Sequence, residues 1–505
     1  MRLRLNQWLA TLGVALAFAL PACPLDPGYF VPAHRLPGVG LGRRELSGEV
    51  LTQRVDAMMQ SQTFSIMREP QALPGARRIG SPGLQRLFRD AERQSGFPAS
   101  VLQAMAYLES WGVANAESPA GPRGIMQIAE ATGRRMGLRV AYATRHRVTK
   151  TKTAVRDKHG RLVYRTVRHR ETYTVLVRDD RLRPERAIPA AAMYLARLEQ
   201  RYGGRDWAIW AYHCGEGCVA DFLAMAKDMK GGSPPSVAEV FFGCDPAWNR
   251  DLCQALHAQM DRDYSPTYWF RVMRAQQLLR MYKEDPLEFR GLAAEYRYAA
   301  APSTRAPDRL SVWLKPQDLT YATSERIRDD SENKLFKAPD DPHFFGYRLD
   351  SLTLGLDGDS WRTLALPSTI GALAYIAFET RLLFAAMLPD VPFVPLNVTA
   401  LVLPNGEPSA SGTGDGSRWT EHASGQVFDL SLADLPGGER ECLRFVLDDL
   451  GWNGDLGFID QPEGKQTVHI GCSPSSRGFF THVFEEAEAA QRDRTVPAEP
   501  TPVAR

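Results

Sequence analysis

Apolar residues in the first half of the chain recur with the spacing of amphipathic helices. Between about residues 81 and 283 they return every three or four positions, and a Pro or Ser often stands where such a segment begins, as at a helix N-terminus. The clearest segments are PGLQRLFRDAERQSG, PASVLQAMAYLES, PERAIPAAAMYLARLEQRYG and SPTYWFRVMRAQQLLRMY. The pattern predicts a mainly α-helical domain over residues 79–298.

A different alternation interrupts this helical region at residues 139–183. There Thr, Val and Tyr alternate with polar residues in VTKTKTAVRDKHGRLVYRTVRHRETYTVLV, which predicts a β-hairpin with its turn at residues 157–160. The insertion carries 14 Lys and Arg against 4 Asp and Glu. We expect either a solvated ribbon without a partner or an electropositive arm that contacts an acidic polymer.

The second half of the chain combines short runs with one long apolar segment. RLDSLTLGL, NVTALVLP, GQVFDLSL and QTVHIG have the length and composition of strands, and GALAYIAFETRLLFAAML has those of a helix. Glu379 and Arg381 lie in the middle of that helix and argue against a membrane span. We therefore predict an α/β domain over residues 309–488, after a Pro-containing linker at residues 299–308.

The two ends of the chain differ from both predicted domains. Residues 1–23 have a basic start, a short apolar centre and small residues before Cys23, which is typical of a secretory signal peptide. The same residues are similar to a lipoprotein cleavage box, in which Cys23 would be lipidated. Residues 24–78 are predicted to form an extension with one helix near residues 49–67, and the Pro-rich residues 489–505 a disordered tail.

Composition and cysteine content fit an exported protein. The 505-residue chain has a net charge of +2, which gives no overall case for a nucleic-acid or membrane-surface partner. Besides Cys23, four cysteines lie in the first half and two in the second, and even numbers on each side suit disulfides in an oxidising periplasm. The four are Cys214, Cys218, Cys244 and Cys253, and the two are Cys442 and Cys472. The alternative is that these thiols are free and buried.

Glu109 is the first candidate catalytic residue. It lies at the last turn of a predicted apolar helix, before the Gly- and Pro-rich loop of residues 112–124. Apolar surroundings disfavour the ionised form of a carboxylic acid and therefore suit a proton donor, and glycine lets the backbone approach a bulky ligand. Gln127 supplies an amide near the acid. On this evidence alone, an ordinary glutamate at a helix end beside a turn is a simpler interpretation than a catalytic acid.

Three ordered motifs around this residue resemble a known family. Glu109 with the following AESPAGPRGIMQ, then AAAMYLARLEQRYGGRDWAIWAYHCGEG, and then Pro266 and Tyr268 before a closing helix, resemble the soluble lytic transglycosylases of the goose-type lysozyme superfamily. The resemblance covers roughly residues 80–285 apart from the hairpin. It departs from the family at His213, where the family has Asn.

The resemblance implies a reaction and a set of site residues. Glu109 would first protonate the glycosidic oxygen between N-acetylmuramic acid and N-acetylglucosamine, and would then take the proton of the sugar's own C6 hydroxyl to leave a 1,6-anhydro end. Ser118, Gln127, Tyr212 and His213 would position the sugar or the intermediate. His213 would also change the pH dependence. Hydrolysis with water as the acceptor stays open on the same scaffold.

The second half contains a candidate zinc site. His422 and Asp429 lie seven residues apart around Gly425, and His469 follows in a later predicted strand; zinc takes nitrogen and oxygen ligands of these types. The segment TEHASGQVFDL resembles the Ser-x-His-x-x-Gly-x-Ala-x-Asp motif of zinc D-alanyl-D-alanine carboxypeptidases, and VPLNVTALVLPNGEPS is similar to their preceding strand. Two departures argue against peptidase activity: Gln466 stands where that family has its catalytic Glu, and the expected upstream Arg is absent.

Taken together, these features predict an exported multidomain protein of the cell wall. The lysozyme-like domain would cleave peptidoglycan glycan strands without a cofactor, and the α/β zinc-peptidase-like domain would bind or trim stem peptides. Two rival interpretations stay open: a bifunctional or mainly zinc-dependent peptidase, and a scaffold that binds peptidoglycan without catalysis. We expect a periplasmic location, with outer-membrane anchoring if Cys23 is lipidated, and no nucleic-acid partner.

Overall fold

The structure of the protein is a computed structural model that describes most of the chain between residues 29 and 495. The described ranges are 29–36, 48–227, 229, 235–263, 265–299, 313, 321–331, 334–349, 352, 360–405, 407, 421–460 and 466–495. The predicted signal peptide with Cys23, residues 300–308 of the predicted linker and residues 496–505 of the predicted tail lie outside these ranges.

The first half is built mainly from helices, as its sequence pattern predicts. The helix α3 (Pro82–Ser95) begins with a proline and ends at Gly96 in the left-handed conformation, which are typical helix ends. The other helices through residue 299 are α1 (Gly48–Met67), α2 (Ala72–Ile79), α4 (Ala99–Ser110), α5 (Glu130–Arg135), α6 (Pro184–Tyr202), α7 (Arg205–Cys214), α8 (Glu216–Met225), α9 (Val237–Phe242), α10 (Arg250–Asp263), α11 (Tyr268–Glu284) and α12 (Pro286–Ala299).

Helices α4 and α11 pack against each other at the centre of this half. Leu102 and Met105 of α4 and Val272 and Leu278 of α11 are completely buried in one apolar cluster. Burying these side chains stabilises the pair by roughly 1.5–3 kcal/mol per large apolar residue. The packing places the C-terminal end of α4 beside the N-terminal end of α11.

The predicted β-hairpin is confirmed. Strand β1 (Val140–Arg156) pairs antiparallel with β2 (Leu162–Asp179) along its whole length. Asp157 closes the turn, because its carboxylate accepts hydrogen bonds from the backbone N–H groups of His159 and Arg161. Almost all of both strands is solvent-exposed, so the hairpin projects from the helical half as a ribbon.

The second half contains a five-stranded sheet with helices, in agreement with the predicted α/β class. Its strand order is β4-β6-β7-β9-β8, with β4 parallel to β6 and the other neighbours antiparallel. The strands are β3 (Phe336–Lys337), β4 (Tyr347–Arg348), β5 (Leu364–Ala365), β6 (Leu396–Ala400), β7 (Val427–Ser431), β8 (Leu456–Asp460) and β9 (Thr467–Cys472). The helices are α13 (Ser324–Asp329), α14 (Pro342–Phe345), α15 (Pro367–Met387), α16 (Gly437–Asn453) and α17 (Arg477–Thr495).

Helix α15 is the central helix of this half. Among the described residues it alone is long and apolar enough to cross a membrane by length and composition, and most of it is buried inside the protein. Its Glu379 is buried and forms an ion pair with Arg35 at 2.6 Å, and its Gly371 packs directly on the backbone of α17, where a Cβ would lie 1.8 Å from the Phe480 carbonyl oxygen. These contacts are those of a core helix.

The N-terminal extension joins the two halves. Phe30 donates a backbone hydrogen bond to the Phe344 carbonyl of the α/β half. From α1, the fully buried Arg54 pairs with the buried Asp449 of α16 at 2.6 Å. One apolar cluster contains residues of both halves, such as Phe241 and Trp452, whose ring centroids lie 4.4 Å apart. The extension is therefore part of the interface between the halves.

Three details of the sequence prediction are wrong. The extension contains a second helix, α2, and helix α17 continues to Thr495, so residues 489–495 of the expected disordered tail are helical. The first-half cysteines pair as Cys214–Cys218 and Cys244–Cys253, but Cys442 and Cys472 are buried free thiols. The Cys442 thiol contacts the Met387 sulfur, and the Cys472 thiol donates to the Ser368 carbonyl, so each has its own partner within the core.

Candidate active site and metal centre

Glu109 lies at the end of a buried helix and faces a partly open space. Helix α4 stops one residue later, because Trp111 and Gly112 take left-handed conformations with φ of 54° and 72°. The chain therefore turns away just after the glutamate. The Glu109 side chain keeps 16% of its surface exposed, although Tyr107 on the same helix has none. A carboxylate in this position is sheltered by apolar residues and still reachable by a ligand.

Tyr268 holds the Glu109 carboxylate in place. Its hydroxyl donates a hydrogen bond of 2.6 Å to Glu109 Oε1. Burial, together with the nearby Glu109 charge, raises the pKa of Tyr268 well above its ordinary value, so the phenol stays protonated and donates throughout the neutral range. Oε1 is therefore occupied, and Oε2 makes no hydrogen bond to any part of the chain that the structure describes.

His213 completes this side of the site. Its ring stacks on the Tyr268 ring, with centroids 4.2 Å apart and planes 8° from parallel, and its Nδ1 lies 3.9 Å from Glu109 Oε1. It is the last-turn residue of α7, immediately before the disulfide of Cys214 and Cys218. A third of the His213 side chain is exposed, so a bound ligand can contact its ring.

The loop after α4 is folded by its own backbone and by two predicted site residues. Gln127, in a left-handed conformation with φ of 44°, donates its side-chain amide to the carbonyls of Ala116 and Gly124. Tyr212 donates its hydroxyl to the Met126 carbonyl at 2.8 Å, and burial, with a contribution from the Glu109 charge, raises the pKa of this phenol. These two side chains hold the loop that lies beside Glu109.

Ser118 lies at the tip of the same loop. Its backbone N–H donates to Pro122 and its hydroxyl accepts from the Ala120 N–H. The neighbouring Glu117 is mostly exposed and pairs with Arg123 at 3.2 Å, so it is a surface residue of this loop. The structure thus brings Glu109, Tyr212 and His213 together, whereas Ser118 and Gln127 belong to the adjacent loop.

Two contributors to the site were given no role from sequence. Tyr268 lies within the third motif, so the sequence already contained evidence that it belongs to the site. Arg181, at the foot of the hairpin, had none: it is buried, pairs with Asp179 at 2.7 Å and donates to the Ile128 carbonyl. Gly124, with φ of 80°, packs so closely on this segment that a Cβ would lie 1.8 Å from the Arg181 carbonyl oxygen. The hairpin base therefore supports the loop beside Glu109.

The candidate zinc residues meet in the second half of the chain. Asp429 of β7 and His469 of β9 are directly opposite each other in the sheet register, and His422 lies in a 3₁₀ turn (Glu421–Ser424) just before β7. Asp429 Oδ1 is 2.5 Å from His469 Nδ1 and 3.2 Å from His422 Nε2. All three side chains are at most 1% exposed.

Among the described residues, three atoms of this cluster make no hydrogen bond, and one of them, His422 Nε2, lies 3.2 Å from Asp429 Oδ1. His422 Nδ1 donates to the Leu401 carbonyl, and His469 Nδ1 hydrogen-bonds to Asp429. Within the described ranges, both Nε2 atoms and Asp429 Oδ2 make no hydrogen bond, although buried polar atoms normally do. One ligand atom from each residue lies within 4.8 Å of the others. The donor set fits a zinc ion.

Charge coupling within this cluster shifts two pKa values. Burial acts to raise the pKa of Asp429, but the two histidines outweigh it and hold this pKa well below its usual range. Burial acts to lower the pKa of His422, but the Asp429 carboxylate outweighs it and raises this pKa. The side chain of Gln466 is exposed at the start of β9 and does not enter the buried cluster. A second group, His34, His482 and Glu486, is more exposed and also close enough to share a metal ion.

Comparison with known families gives a match in the helical half, and comparison with individual proteins gives relatives of part of the chain. The sequence model of the Transglycosylase SLT domain matches residues 86–156 and 161–231, which include Glu109, Tyr212 and His213. The membrane-bound lytic murein transglycosylase F 2 of Alkalilimnicola ehrlichii is 25% identical over 223 residues, which are 43% of this chain and 36% of that protein.

Two further relatives are similar to shorter parts of this chain. The peptidoglycan transglycosylase gp16 of Escherichia phage T7 is 33% identical over 132 residues, 26% of this chain and 8% of that protein. The membrane-bound lytic murein transglycosylase F of Alcanivorax borkumensis is 28% identical over 166 residues, 32% of this chain and 27% of that protein. The chain thus matches between 8% and 36% of the length of these curated relatives. Its helical half contains a segment similar to the Transglycosylase SLT domain.

Proposed function

We propose that the protein is a lytic transglycosylase that cleaves peptidoglycan glycan strands at Glu109. The observation that carries this proposal is the environment of the glutamate: a single sheltered carboxylate, fixed through one oxygen by Tyr268 and open at the other. The similarity of residues 86–231 to the Transglycosylase SLT domain and to lytic murein transglycosylases supports the same reaction and the same substrate.

The proposed reaction uses Glu109 as the acid and then as the base. The protonated carboxyl gives its proton to the glycosidic oxygen as the bond from that oxygen to C1 of N-acetylmuramic acid breaks. The resulting carboxylate takes the proton of the C6 hydroxyl of the same sugar, and O6 bonds to C1 to form the 1,6-anhydro ring. Glu109 gives one proton to the leaving oxygen and takes one from the C6 hydroxyl, so it ends protonated as it began. No second carboxylate is required.

The surrounding residues have positioning roles in this proposal. Tyr268 orients the carboxylate so that Oε2 faces the sugar. Tyr212 and Gln127 keep the loop in place, and Ser118 contacts the ligand from the loop tip. His213, which is partly exposed and stacked on Tyr268, contacts the sugar beside the bond that breaks.

Glu109→Gln tests the assignment of the acid. The amide retains the size of the side chain and can still accept the Tyr268 hydrogen bond, but it cannot donate a carboxyl proton, so we expect glycan cleavage to fall at least ~10³-fold. Purified sacculi are digested, and the released muropeptides are separated and weighed by mass spectrometry. Glu117→Gln is the matched control and should retain wild-type activity. Persistent cleavage by the Glu109 variant at the wild-type rate would reject the assignment.

The second part of the proposal assigns zinc to the α/β half. His422, Asp429 and His469 would hold the ion, which would act there as a Lewis acid or as a crosslink between β7, β9 and the preceding turn. The complete burial of the three side chains favours a stabilising role that shapes a stem-peptide-binding domain over peptide cleavage. The exposed Gln466 offers no acid or base to the cluster.

Zinc stoichiometry tests this assignment. Full-length protein is loaded with zinc, freed of excess metal and analysed by atomic absorption. His422→Ala should lose one equivalent, whereas Gln466→Ala should lose none. His482→Gln identifies zinc held by the exposed His34, His482 and Glu486 group, so the two sites are counted separately. Shortened stem peptides in a wild-type digest, absent with His422→Ala, would instead favour the zinc-peptidase alternative.

The hairpin is proposed to contact an acidic polymer of the cell wall. Directly opposite residues of the two strands share a face, and one face presents Lys150 opposite Arg168, with Arg170 and Lys152 beside them. This face, over residues 142–156 and 162–176, carries no acidic residue, whereas the other face pairs Arg147 with Glu171. Like charges placed directly opposite are destabilising unless an anion lies between them, and peptidoglycan stem peptides carry carboxylates.

Location and domain limits complete the proposal. The apolar N-terminal segment ending at Cys23 is proposed to export the chain to the periplasm, where its substrate lies, and two of the relatives are named as membrane-bound. The proposed catalytic domain extends over residues 79–298 with the hairpin at residues 139–183, and the α/β domain over residues 309–488. The ion pair of Arg54 with Asp449 joins the N-terminal extension to the α/β domain.

A further inference from the structure

A cavity lies behind the catalytic helix, where the helical half meets the α/β half. Its volume is about 390 Å³, within the range of small-ligand sites. Helices α1, α11 and α12 line it from one side, and the ends of α16 and β9 from the other. Nothing in the proposed reaction uses this cavity.

The cavity contains a buried cation without a carboxylate partner. Arg274 of α11 is only 9% exposed. Its Nε donates to the Thr63 hydroxyl and its Nη1 to the Gln277 side-chain carbonyl, each at 2.8 Å. Both acceptors are neutral, and among the described residues no carboxylate pairs with Arg274 and none accepts from its Nη2.

The other buried arginines of the helical half are paired differently. Arg54 forms an ion pair with Asp449, and Arg181 forms one with Asp179. A buried guanidinium that lacks an anion carries an uncompensated desolvation cost, and burial correspondingly lowers the pKa of Arg274. The missing partner is an anion, and the open side of Arg274 faces the cavity.

The rest of the lining suits a polar ring compound. Phe64 and Tyr296 supply aromatic faces, and Ser473, Ser475 and Asn453 supply hydroxyl and amide groups. The two serine hydroxyls lie 2.7 Å apart, so one donates to the other and the second keeps a free donor. The described lining residues include no acid. Aromatic faces with a few convergent donors are the usual environment of a bound sugar-sized molecule.

The cavity is separate from the site of Glu109. Arg274 follows Tyr268 by six residues on α11, which is about 9 Å along the helix axis and on a different side of the helix. A ligand that reaches Arg274 therefore approaches α11 from the α1 side, whereas the glycan strand proposed to bind at Glu109 approaches the face that carries Tyr268.

We propose that this cavity binds a small carboxylate-bearing amino sugar, with its carboxylate on Arg274 Nη2 and its ring against Phe64 and Tyr296. The requirement for a carboxylate follows from Arg274. The identification of the sugar as N-acetylmuramic acid, the acidic sugar of the glycan strand, rests on the proposed function. The cavity would then bind a peptide-free muramic acid at the junction of the two halves, because the lactyl carboxylate is free only where no stem peptide is attached to it.

Isothermal titration calorimetry of the full-length protein tests the proposal with a matched pair of probes. N-acetylmuramic acid and N-acetylglucosamine differ by the lactyl carboxylate, so the acidic sugar should bind at least tenfold more tightly. Arg274→Met should remove this preference, whereas Arg280→Met, an exposed position on the same helix, should leave it unchanged. Inorganic phosphate is the third probe and shows whether any small anion is sufficient.

Further measurements keep the result interpretable. Arg274→Met replaces an uncompensated buried cation, so its thermal midpoint should equal or exceed that of the wild type. Ser475→Phe changes an exposed rim residue and should block the cavity without touching Arg274, with the same loss of acidic-sugar binding.

Equal binding of the two sugars, or undiminished binding by both Arg274→Met and Ser475→Phe, would overturn the proposal. If phosphate binds and neither sugar does, the assignment of a sugar ligand is rejected and the cavity is only an anion site. If Arg274-dependent binding persists but Glu109→Gln does not affect glycan cleavage, the cavity proposal stands and the proposed function fails.

Discussion

The Glu109 site and the His422, Asp429 and His469 cluster were both found through motif spacing, and the structure places them in opposite environments. The Glu109 carboxylate keeps 16% of its surface exposed, beside a histidine that is one-third exposed. The side chains of His422, Asp429 and His469 are at most 1% exposed. Spacing therefore identifies which residues meet, whereas burial decides whether a large substrate can reach them.

The difference has a local cause in each case. After α4 the left-handed Trp111 and Gly112 turn the chain away and leave Glu109 at an open end. The His422 turn is covered by neighbouring segments: Leu403 donates its backbone N–H to the His422 carbonyl and Tyr321 donates to the Ala423 carbonyl. The first arrangement suits catalysis on a polymer, and the second suits a crosslink in the core.

Removing the charge at the centre of the buried cluster should have the largest effect on stability. Asp429→Ala leaves two buried imidazoles without their anion, so we expect a loss of about 3–5 kcal/mol in the free energy of unfolding. Chemical denaturation with circular dichroism measures it. Asp434→Ala, which removes a mostly exposed partner of Arg348, is the control and should cost less than about 1 kcal/mol. Equal losses in the two variants would mean that the cluster is not a stabilising centre.

Removing the hydrogen bond to Glu109 should have the next largest effect. This change should lower activity and leave stability unchanged. Tyr268→Phe deletes a hydrogen bond to a charged group worth about 1.5–3 kcal/mol, so kcat should fall roughly 10- to 100-fold, with little change in KM. Initial rates on purified sacculi measure both constants. Tyr282→Phe on the same helix should retain the wild-type values. An unchanged kcat in Tyr268→Phe would remove the tyrosine from the account of the open site.

Zinc and protons should compete at the closed site. The lowered pKa of Asp429 contributes stability that is present above about pH 4 and is lost as the pH falls further. The raised pKa of His422 contributes stability that is present below about pH 6.5 and is lost as the pH rises. Chelator-treated protein should therefore be most stable between these values. Zinc should add more stability at pH 8 than at pH 6, because fewer protons occupy the ligands.

Differential scanning calorimetry across this range checks the competition. His482→Gln is included so that zinc bound by the exposed group does not contribute. A zinc effect that is the same at all pH values, or that persists in the His422→Ala variant, would contradict the assignment of the buried ligands.

The smallest effect is expected at the hairpin, where Lys150 and Arg168 are both solvent-exposed. Lys150→Glu with Arg168→Glu should weaken binding to purified sacculi roughly two- to tenfold, because exposed ion pairs are each worth about 0.2–1 kcal/mol, and the loss should shrink at high ionic strength. Arg145→Glu with Arg165→Glu changes the opposite face by the same charge. Equal effects of the two pairs in a co-sedimentation assay would show that the face of the ribbon does not matter.

Local sequence patterns predicted the helices and strands well, but they did not predict which distant residues contact each other. The helices α3, α4, α6 and α11, the hairpin and the strands β6, β7 and β9 follow from periodicity and from Pro or Gly at their ends. Periodicity is a property of neighbouring residues, and it cannot place Tyr268 on Glu109, 159 residues earlier. It also cannot pair Arg35 with Glu379, because such contacts depend on how whole elements pack.

The cysteines and the metal ligands illustrate the same limit. An even number of cysteines predicted disulfides in both halves, but Cys442 and Cys472 lie apart in the core as free thiols. The spacing of His422 and Asp429 and the later His469 predicted a ligand set, and the β7–β9 register brings two of these residues opposite each other. Their complete burial was not predictable, because it depends on segments that are distant in sequence.

Digestion of sacculi in water enriched in heavy oxygen tests the central claim most directly. If Glu109 alone transfers the proton and the sugar's own hydroxyl closes on C1, the new ends are one water lighter than reducing ends and carry no heavy oxygen. Mass spectrometry of the released muropeptides distinguishes the two. Unlabelled anhydro ends that disappear with Glu109→Gln are the predicted result, and reducing ends that carry one heavy oxygen would contradict the account.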